Sequence, residues 1–297
     1  MKFKGSKKQG LVRRGRHIGG AAIGTLGFCI PWAVDKDHGR RGDHPEWVEV
    51  VEVDMHLANL PEKFRGKRIV HISDLHCSKM VSNRYLRHCV DRVNHLKADI
   101  VILTGDYITH DLNGKFRNKA VELVRGINNR HGVYACLGNH DYGFNGMLRS
   151  KHHGLMHDMI EGMEHSGVSM LRNDSTVLEI EGEELWLVGL GDIWAGDFKP
   201  KKAFKKVPDN EAVITLLHNP DGVKHLHDFP VDAVMSGHTH GTVTEHANKF
   251  GWRVQKRKYH AGMYHVRGKK LYVNRGLGRL GRARLGARPE ITVCTLR

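Results

Sequence analysis

Five short apolar runs, each followed closely by a polar residue that can bind a metal, constrain this chain more than any other feature. They cover residues 68–72, 100–103, 133–137, 213–217 and 233–235. Their length and their content of Val, Ile and Leu predict buried strands of an α/β fold. Functional residues in such sheets usually lie at the carboxyl ends of the strands. We therefore expect the polar residues after these five runs to form one site.

The polar residues after the five runs are carboxylates, an amide and imidazoles. They occur in Asp74-Leu75-His76, Gly105-Asp106, Gly138-Asn139-His140-Asp141, His218 and Gly237-His238-Thr239-His240. Mixed oxygen and imidazole donors suit manganese, iron or zinc better than calcium, and no paired thiolates are offered. The pattern predicts a site for two divalent or trivalent metal ions, whose identity stays open.

The order Asp-x-His, Gly-Asp, Gly-Asn-His-Asp, His and Gly-His-x-His resembles the calcineurin-like metallophosphoesterases. The resemblance extends from about Arg68 to His240 and continues more weakly through residues 274–278. One Asp-x-His tripeptide occurs by chance in many chains. Five segments in the order of the family, each after a predicted strand, are a specific signal.

The resemblance implies a role for each matched residue. Asp74, His76 and His240 would bind one metal, Asn139, His218 and His238 would bind the other, and Asp106 would bridge them. His140 would be the catalytic histidine that stabilises the phosphoryl oxygens or protonates the leaving group, and Asp141 would orient its imidazole. Two such metals can hold a hydroxide and neutralise charge during an in-line displacement at phosphorus. The implied reaction is hydrolysis of a phosphomonoester or phosphodiester.

The chain has 23 histidines, so an arbitrary histidine is more often a surface or satisfied interior residue than a ligand. His238 and His240 differ, because glycines flank the pair on a turn after a strand. His218 depends more on the family resemblance. Asp192 ends another apolar run, and we expect it either to face the cleft or to be an ordinary loop aspartate.

Strand and helix signals alternate through the first half of the chain, which predicts an α/β fold. Helices are predicted over residues 85–96 and 118–128 and from near Met147, and further strands over residues 176–180, 185–190, 271–273 and 291–296. The resemblance implies a four-layer α/β/β/α sandwich with two mixed β-sheets. No repeat or low-complexity linker divides residues 45–297, so we expect a single catalytic domain there.

The five cysteines, at positions 29, 77, 89, 136 and 294, show no pairing or zinc-finger spacing. Cys89 and Cys136 lie in a predicted helix and strand, which indicates small core residues. Cys77 directly follows His76, and we favour a packing role for it over redox control.

Residues 1–44 are expected to form a basic N-terminal segment. Seven Lys or Arg residues lie among the first 16 residues, and the 17 residues from Ile18 to Val34 carry no Lys, Arg, Asp or Glu. A basic stretch before an apolar one is typical of an export signal or a membrane anchor. Arg13-Arg14 resembles a twin-arginine signal, although Gly15-Arg16-His17 departs from the usual apolar residues. A membrane-associated or exported protein is predicted, with a cytoplasmic protein as the alternative.

The net charge of +15 is concentrated at the two ends of the chain. Thirteen Lys or Arg residues and no acidic residue lie between Lys249 and Arg288, while the rest of the chain beyond residue 16 has a small acidic excess. Arg275 and Arg279 occur there among glycines, and guanidinium groups on a pliable backbone suit phosphate contacts. We predict that both arginines bind substrate and that the segment contacts the substrate or an anionic membrane.

The function predicted from the sequence is a dinuclear metal-dependent phosphoesterase acting on a phosphorylated small molecule or lipid, with a lipid-linked or cell-envelope substrate favoured. A nuclease or nucleotide phosphodiesterase is one alternative, which the few aromatic residues near the arginines disfavour. A non-catalytic scaffold with the phosphoesterase fold is another. The complete ligand series disfavours the scaffold, because degenerate scaffolds usually lose ligands. The sequence carries no signal for an oligomeric state.

Overall fold

Two six-stranded β-sheets form the centre of the protein in the computed structural model, which describes residues 47–111, 113–143, 153–246, 254–279 and 287–297. The first sheet contains β1 (Glu49–Met55), β2 (Arg68–Ile72), β3 (Ile100–Leu103), β4 (Val133–Ala135), β5 (Val168–Met170) and β14 (Glu290–Leu296). Its order is β1-β14-β2-β3-β4-β5. The pairing of β14 with β2 is antiparallel and the other pairs are parallel.

The second sheet is also mixed. It contains β6 (Asp174–Ile180), β7 (Glu183–Gly189), β8 (Val213–Leu216), β9 (Ala233–Ser236), β12 (Gly262–Val266) and β13 (Lys269–Val273), in the order β12-β13-β9-β8-β7-β6. The central strands β7, β8, β9 and β13 run parallel, and the edge strands β6 and β12 run antiparallel to their neighbours. A separate antiparallel pair is formed by β10 (Thr244–His246) and β11 (Val254–Lys256).

Among the described residues, three helices of at least three turns cover the outer face of the first sheet. They are α1 (Asn83–His95), α2 (Lys115–Arg125) and α3 (His153–Glu164). The first turn of α1 is capped by the side chain of Ser82, which accepts a hydrogen bond from the backbone N–H of Tyr85. The fourth helix, α4 (Pro200–Ala203), is a single turn. Short 3₁₀ helices cover Glu62–Phe64, Asn139–Tyr142 and Pro220–His225.

Alternation of side chains along the central strands produces the layers. In β3, Val101 and Leu103 pack on the helices, whereas Ile100 and Ile102 pack between the sheets. The second sheet repeats the pattern, with one face directed at the first sheet and the other covered by α4 and the 3₁₀ helix at residues 220–225. Because both faces of each sheet are covered, the central strands consist mostly of apolar residues. The arrangement is a sandwich of two mixed sheets between helical layers.

The five strands predicted before the polar segments are confirmed as β2, β3, β4, β8 and β9. The second predicted helix begins earlier than residue 118, because the carboxylate of Asp111 accepts from the N–H groups of Phe116 and Arg117 and so caps the first turn of α2. The third was expected from near Met147. Residues 144–152 lie outside the described residues, and the described helix runs from His153 to Glu164.

Candidate metal centre

The polar segments predicted to form one site meet at one edge of the sandwich. Asp74 and Asp106 follow β2 and β3 of the first sheet, and His218 and His238 follow β8 and β9 of the second. The central strands of each sheet run parallel, so the carboxyl ends of these strands lie along one edge of the sheet. The two sheets therefore supply side chains to the same site.

Asp74, His76 and His240 converge as one group. The Nε2 atoms of His76 and His240 lie 3.0 Å apart. The Oδ1 atom of Asp74 lies 3.4 Å from Nε2 of His240 and 3.7 Å from Nε2 of His76. All three residues are buried or nearly so, which removes the water that would otherwise solvate them. Three donor atoms directed at one point form a candidate site for a cation.

Asp106, His218 and His238 form a second group, whose candidate ligand atoms lie within 4.8 Å of one another. Oδ2 of Asp106 lies 3.1 Å from Nε2 of His218 and 3.6 Å from Nε2 of His76. This carboxylate therefore contacts both groups, as a bridging ligand must. Asn139 is buried beside it, since the next residue, His140, donates its N–H to Oδ1 of Asp106 at 2.8 Å.

Some buried polar atoms at these groups have no hydrogen-bond partner, and a bound cation would provide one. In the described part of the chain, two buried side-chain atoms at this group lie without a hydrogen-bond partner or an ion pair: Oδ1 of the neighbouring Asn139 and Nε2 of His238. Burying such atoms without a partner is unfavourable. Nδ1 of His218 donates to the carbonyl of Thr104 at 2.6 Å, so Nε2 is the ring nitrogen directed at the carboxylate of Asp106. The donor chemistry suits a metal ion.

Backbone strain is concentrated at the same residues. Nine non-glycine residues in the described ranges have positive φ, and five of them are predicted ligands: Asp74, His76, Asp106, His238 and His240. Their φ values lie between 47° and 72°, a region that side chains with a Cβ seldom occupy. Strain of this kind persists where the surroundings fix the backbone, and it clusters at functional sites.

Two glycines allow the close approach of ligand segments. A Cβ at Gly138 would overlap the carboxylate of Asp106, and a Cβ at Gly237 would overlap Ser73 and the carboxylate of Asp74. Gly237 also lets the N–H of His238 reach Oδ2 of Asp74 at 3.0 Å. Gly237 thus allows the two sheets to approach each other at the site, and Gly138 allows two neighbouring loops of the first sheet to do so.

The charges of the site favour added positive charge. Burial raises the pKa of Asp74 and Asp106, but the neighbouring imidazoles outweigh it and hold both below their usual range. Burial likewise opposes protonation of His218, yet Asp106 and the other nearby carboxylates raise its pKa to about 10. Burial and the charge of His218 lower the pKa of His238. A protonated imidazole between ionised carboxylates occupies the place that a cation suits.

His140 lies beside the first group, with 5.1 Å between its ring centroid and that of His76. Its Nδ1 bonds to the carbonyl oxygen of Thr109 at 2.9 Å. This carbonyl takes the orienting role that the family resemblance predicted for Asp141. The Asp141 carboxylate instead accepts backbone N–H bonds from Gly138, Asp106 and Tyr107, because the turn directs its side chain under the loop. Asp141 therefore holds the loops of Asp106 and Asn139 together.

The two arginines predicted to bind substrate have structural partners. Nε and Nη2 of Arg275 bond to Glu290 and Glu49, which ties the loop after β13 to β1 and β14. Arg279 is buried, and its Nη2 donates to the carbonyl of Met80 in the loop after His76. Between them, the N–H of Gly278 donates to the backbone oxygen of Asp74 at 2.6 Å. The segment therefore supports Asp74, and a role in substrate binding stays a prediction.

Asp192 and Cys77 occupy different surroundings. Asp192 is fully buried, and its Oδ1 accepts the N–H groups of Trp194 and Ala195 at 2.8 and 2.9 Å. Its charge contributes to the raised pKa of His218, so it lies near the second group while also forming a turn. Cys77 is buried in the helix-side core, where burial raises its pKa to about 12. A thiol held neutral in this way fits the predicted packing role.

Trp194 is a residue at the site that the sequence analysis missed. Its side chain is 50% exposed, and its ring lies edge-on to the ring of His238 with 4.4 Å between centroids. No local pattern marks it, because it follows Asp192 in a loop of ordinary composition. Only the contact across the two loops brings it to the metal ligands.

The predicted N-terminal segment, residues 1–44, lies outside the described residues. Within the ranges that are described, no helix has the length and apolar character needed to cross a bilayer.

This chain matches a family model, and it is also similar to individual known proteins. A family model described as calcineurin-like phosphoesterase matches residues 67–242. The chain is 30% identical over 255 residues to phosphodiesterase YaeI of Escherichia coli (strain K12), covering 85% of this chain and 89% of that protein. It is 29% identical over 304 residues to the UDP-2,3-diacylglucosamine pyrophosphatase LpxG of Chlamydia muridarum (strain MoPn / Nigg), covering 84% and 89%.

A longer relative is similar over about the same part of this chain. The transmembrane protein with metallophosphoesterase domain of Danio rerio is 29% identical over 266 residues, which cover 84% of this chain and 57% of that protein. Relatives of this chain thus include a protein described as transmembrane.

Proposed function

The chain belongs to the calcineurin-like phosphoesterase family and is a metal-dependent phosphoesterase, and on that premise we propose that its two groups of converging side chains each hold one cation. Asp74, His76 and His240 would hold the first, and Asn139, His218 and His238 the second, with Asp106 shared. The unpartnered buried donors of the second group carry this proposal. Manganese, iron and zinc fit the mixed oxygen and imidazole donors.

When bound, the two cations would supply an activated water and neutralise charge on the phosphoryl group. The protein's own residues set the geometry. Asp74 is fixed by the N–H of His238, and Asp106 by the N–H of His140. Nδ1 of His140, bonded to the Thr109 carbonyl, fixes the ring so that its other edge can donate a proton to a phosphoryl or leaving-group oxygen. Burial of the ligands excludes bulk water from this chemistry.

The test combines metal analysis with turnover of bis(4-nitrophenyl) phosphate, a generic phosphodiester. The full chain should contain about two ions and hydrolyse this substrate. Asp106→Ala and His238→Ala should lose metal and activity together. His265→Ala is the matched control, because His265 is an exposed histidine on β12. Full turnover in Asp106→Ala, or turnover without bound metal, would reject the assignment.

We propose a lipid-linked or cell-envelope phosphoester as the natural substrate. The support is the relative described as a UDP-2,3-diacylglucosamine pyrophosphatase, a name that specifies a substrate with acyl groups. A panel of phosphomonoesters, phosphodiesters, nucleotides and phospholipids would test this. Preferred hydrolysis of water-soluble nucleotides would contradict it.

We also propose that residues 1–44 direct the protein to a membrane or out of the cytoplasm. The basic stretch before the apolar residues 18–34 supports this. Fractionation of cells that express the full chain, beside the Arg13→Lys and Arg14→Lys double variant, would test it. Equal amounts of both proteins in the soluble cytoplasmic fraction would favour the cytoplasmic alternative.

The nuclease alternative makes a different prediction for the basic segment between residues 249 and 288. Phosphate contacts along a nucleic acid would make binding fall steeply as salt rises. Titration of the full chain with DNA, RNA and anionic vesicles at several salt concentrations would compare the two kinds of partner. Tight, salt-sensitive binding to nucleic acid together with its cleavage would favour the nuclease.

A further inference from the structure

The loop of residues 192–197, here called the tryptophan loop, holds an exposed aromatic side chain against a metal-ligand histidine. Trp194 is half exposed and lies edge-on to His238 at 4.4 Å. Exposing a large apolar side chain is unfavourable unless a partner covers it. Its position beside His238 puts the ring next to the proposed metal ligands, where it can contact a substituent of a phosphate bound there.

The tryptophan loop is fixed at both of its ends. At the start, buried Asp192 accepts the N–H groups of Trp194 and Ala195. At the end, the Asp197 carboxylate accepts from Nε of Arg172 at 2.6 Å and from the hydroxyl of Tyr142 at 3.0 Å. Tyr142 belongs to the 3₁₀ helix that carries Asn139 and His140. Trp194 is therefore held by contacts within its own loop and by the contact of that loop with the 3₁₀ helix at residues 139–142. This preorganises the side chain for binding.

The other exposed large hydrophobic side chains of the described residues lie on neighbouring loops. They are Met80, in the loop after β2, and Val243, in the loop after β9. Because β7 and β9 belong to one parallel set, the loops with Trp194 and Val243 leave the same edge of the second sheet. The loop with Met80 follows His76, whose ring meets that of His240. The edge that carries the metal ligands is thus the edge that exposes apolar side chains.

We propose that Trp194 contacts an alkyl or acyl chain attached to the substrate phosphate and makes the enzyme selective for phosphoesters with such a chain. Two of the three exposed side chains, Met80 and Val243, are not aromatic, which suits a flexible hydrocarbon chain better than a flat base. The proposal rests on the proposed phosphoesterase function and adds to it the residue that selects the substrate. Trp194 acts here by binding and has no part in bond cleavage.

The test uses a series of alkyl 4-nitrophenyl phosphates with methyl, butyl and octyl groups and a common leaving group. In the metal-loaded full chain, kcat/KM should rise with chain length. Trp194→Ala should lower the ratio of kcat/KM for the octyl ester to kcat/KM for the methyl ester on the order of tenfold. Trp194→Phe should retain part of the preference. Trp186→Phe, which replaces a tryptophan packed on the outer face of the second sheet, serves as the matched control.

A binding measurement separates this inference from the proposed function. Calorimetry with octylphosphonate and methylphosphonate should show tighter binding of the octyl compound, and Trp194→Ala should abolish the difference. If no ester is hydrolysed but this binding difference persists, the proposed hydrolysis fails, while the contact of Trp194 with the alkyl chain is still supported. If the wild type shows no chain-length preference, or if Trp194→Ala lowers both esters equally, the inference is overturned. An equal decrease in kcat/KM for both esters would indicate that Trp194 only holds His238 in place.

Discussion

His76 and His240 place their Nε2 atoms 3.0 Å apart although 164 residues separate them in the chain. Two imidazole nitrogens that face each other at this distance need either a shared proton or a shared cation. Asp74 lies within 3.7 Å of both nitrogens, so the pair is also adjacent to negative charge. Both histidines have positive φ, which shows that the surrounding loops hold the backbone in this arrangement.

Replacing His240 should remove one ion and leave the other. His240→Ala takes one donor from the first group, whereas Asn139, His218, His238 and Asp106 remain. We expect the metal content to fall from about two ions to about one per chain, and turnover to fall on the order of 100-fold or more. Atomic absorption and hydrolysis of bis(4-nitrophenyl) phosphate measure the two effects. An unchanged content of two ions would contradict the grouping, and His265→Ala should behave as wild type.

Replacing His140 should reduce turnover without loss of metal. His140→Asn removes the imidazole next to the first group but none of the proposed ligands. The expected loss in kcat is on the order of 100-fold to 10,000-fold. Comparing esters with good and poor leaving groups distinguishes the two roles of this histidine. A larger loss for the poor leaving group indicates proton donation, and an equal loss indicates stabilisation of the phosphoryl oxygens. Loss of bound metal in this variant would contradict both.

A methyl group at position 237 should disturb the site without unfolding the protein. Gly237→Ala places a Cβ where Ser73 and the Asp74 carboxylate lie, so Asp74 must move. A shift of about 1 Å at a catalytic site can cost on the order of 100-fold in rate. We expect weaker metal binding and lower turnover, with an unchanged far-UV circular dichroism spectrum. Gly126→Ala is the control, because its Cβ would meet no atom closer than 3.3 Å. Equal activity of the two variants would contradict the prediction.

Asp197 should stabilise the tryptophan loop at neutral pH and lose this effect in acid. Burial raises the pKa of Asp197, but hydrogen bonds from Lys199, Arg172 and Tyr142 together lower it below its ordinary value of 3.8. Since the folded state holds the ionised form, the stabilisation is complete above pH 3.8 and is lost as the pH falls through the lower folded-state pKa. Asp197→Asn should therefore lower the free energy of unfolding at pH 7, by about 1 kcal/mol.

Urea unfolding at several pH values measures this effect. The difference between wild type and Asp197→Asn should shrink as the pH falls below the ordinary pKa of an aspartate. Asp209→Asn, at an exposed aspartate, should show little difference at any pH. A difference for Asp197→Asn that stays constant into acid would show that the charge of Asp197 contributes nothing.

The central strands and the identities of the candidate ligands could be predicted from the sequence, whereas the layers of the fold were implied by the family resemblance. Buried parallel strands have a local signature, and the polar residue that follows each strand is adjacent to it in the chain. Asp74, Asp106 and His218 are recognisable in this way. Strand β1 was missed, because alternation of Glu and Asp with Val gives it the composition of an exposed segment.

Other features depended on contacts between distant loops. The sequence paired His140 with its neighbour Asp141, but the backbone turn directs Asp141 to the N–H groups of residues 106 and 107 and leaves the imidazole to Thr109. Arg275 was assigned to substrate from its glycine-rich surroundings. Its two acidic partners come from β14 and β1, and Glu49 of β1 lies 226 residues away in sequence.

The sequence by itself determined the strand pattern, the kinds of donor atom and the chemistry they permit, because each of these depends on residues adjacent in the chain. The tertiary structure alone decided which ring nitrogens converge, which carbonyls orient them and which side chain stands exposed beside them. Those outcomes depend on backbone angles in loops and on the packing of two sheets. Trp194 beside His238 is the clearest case, since no local pattern in the chain links the two residues.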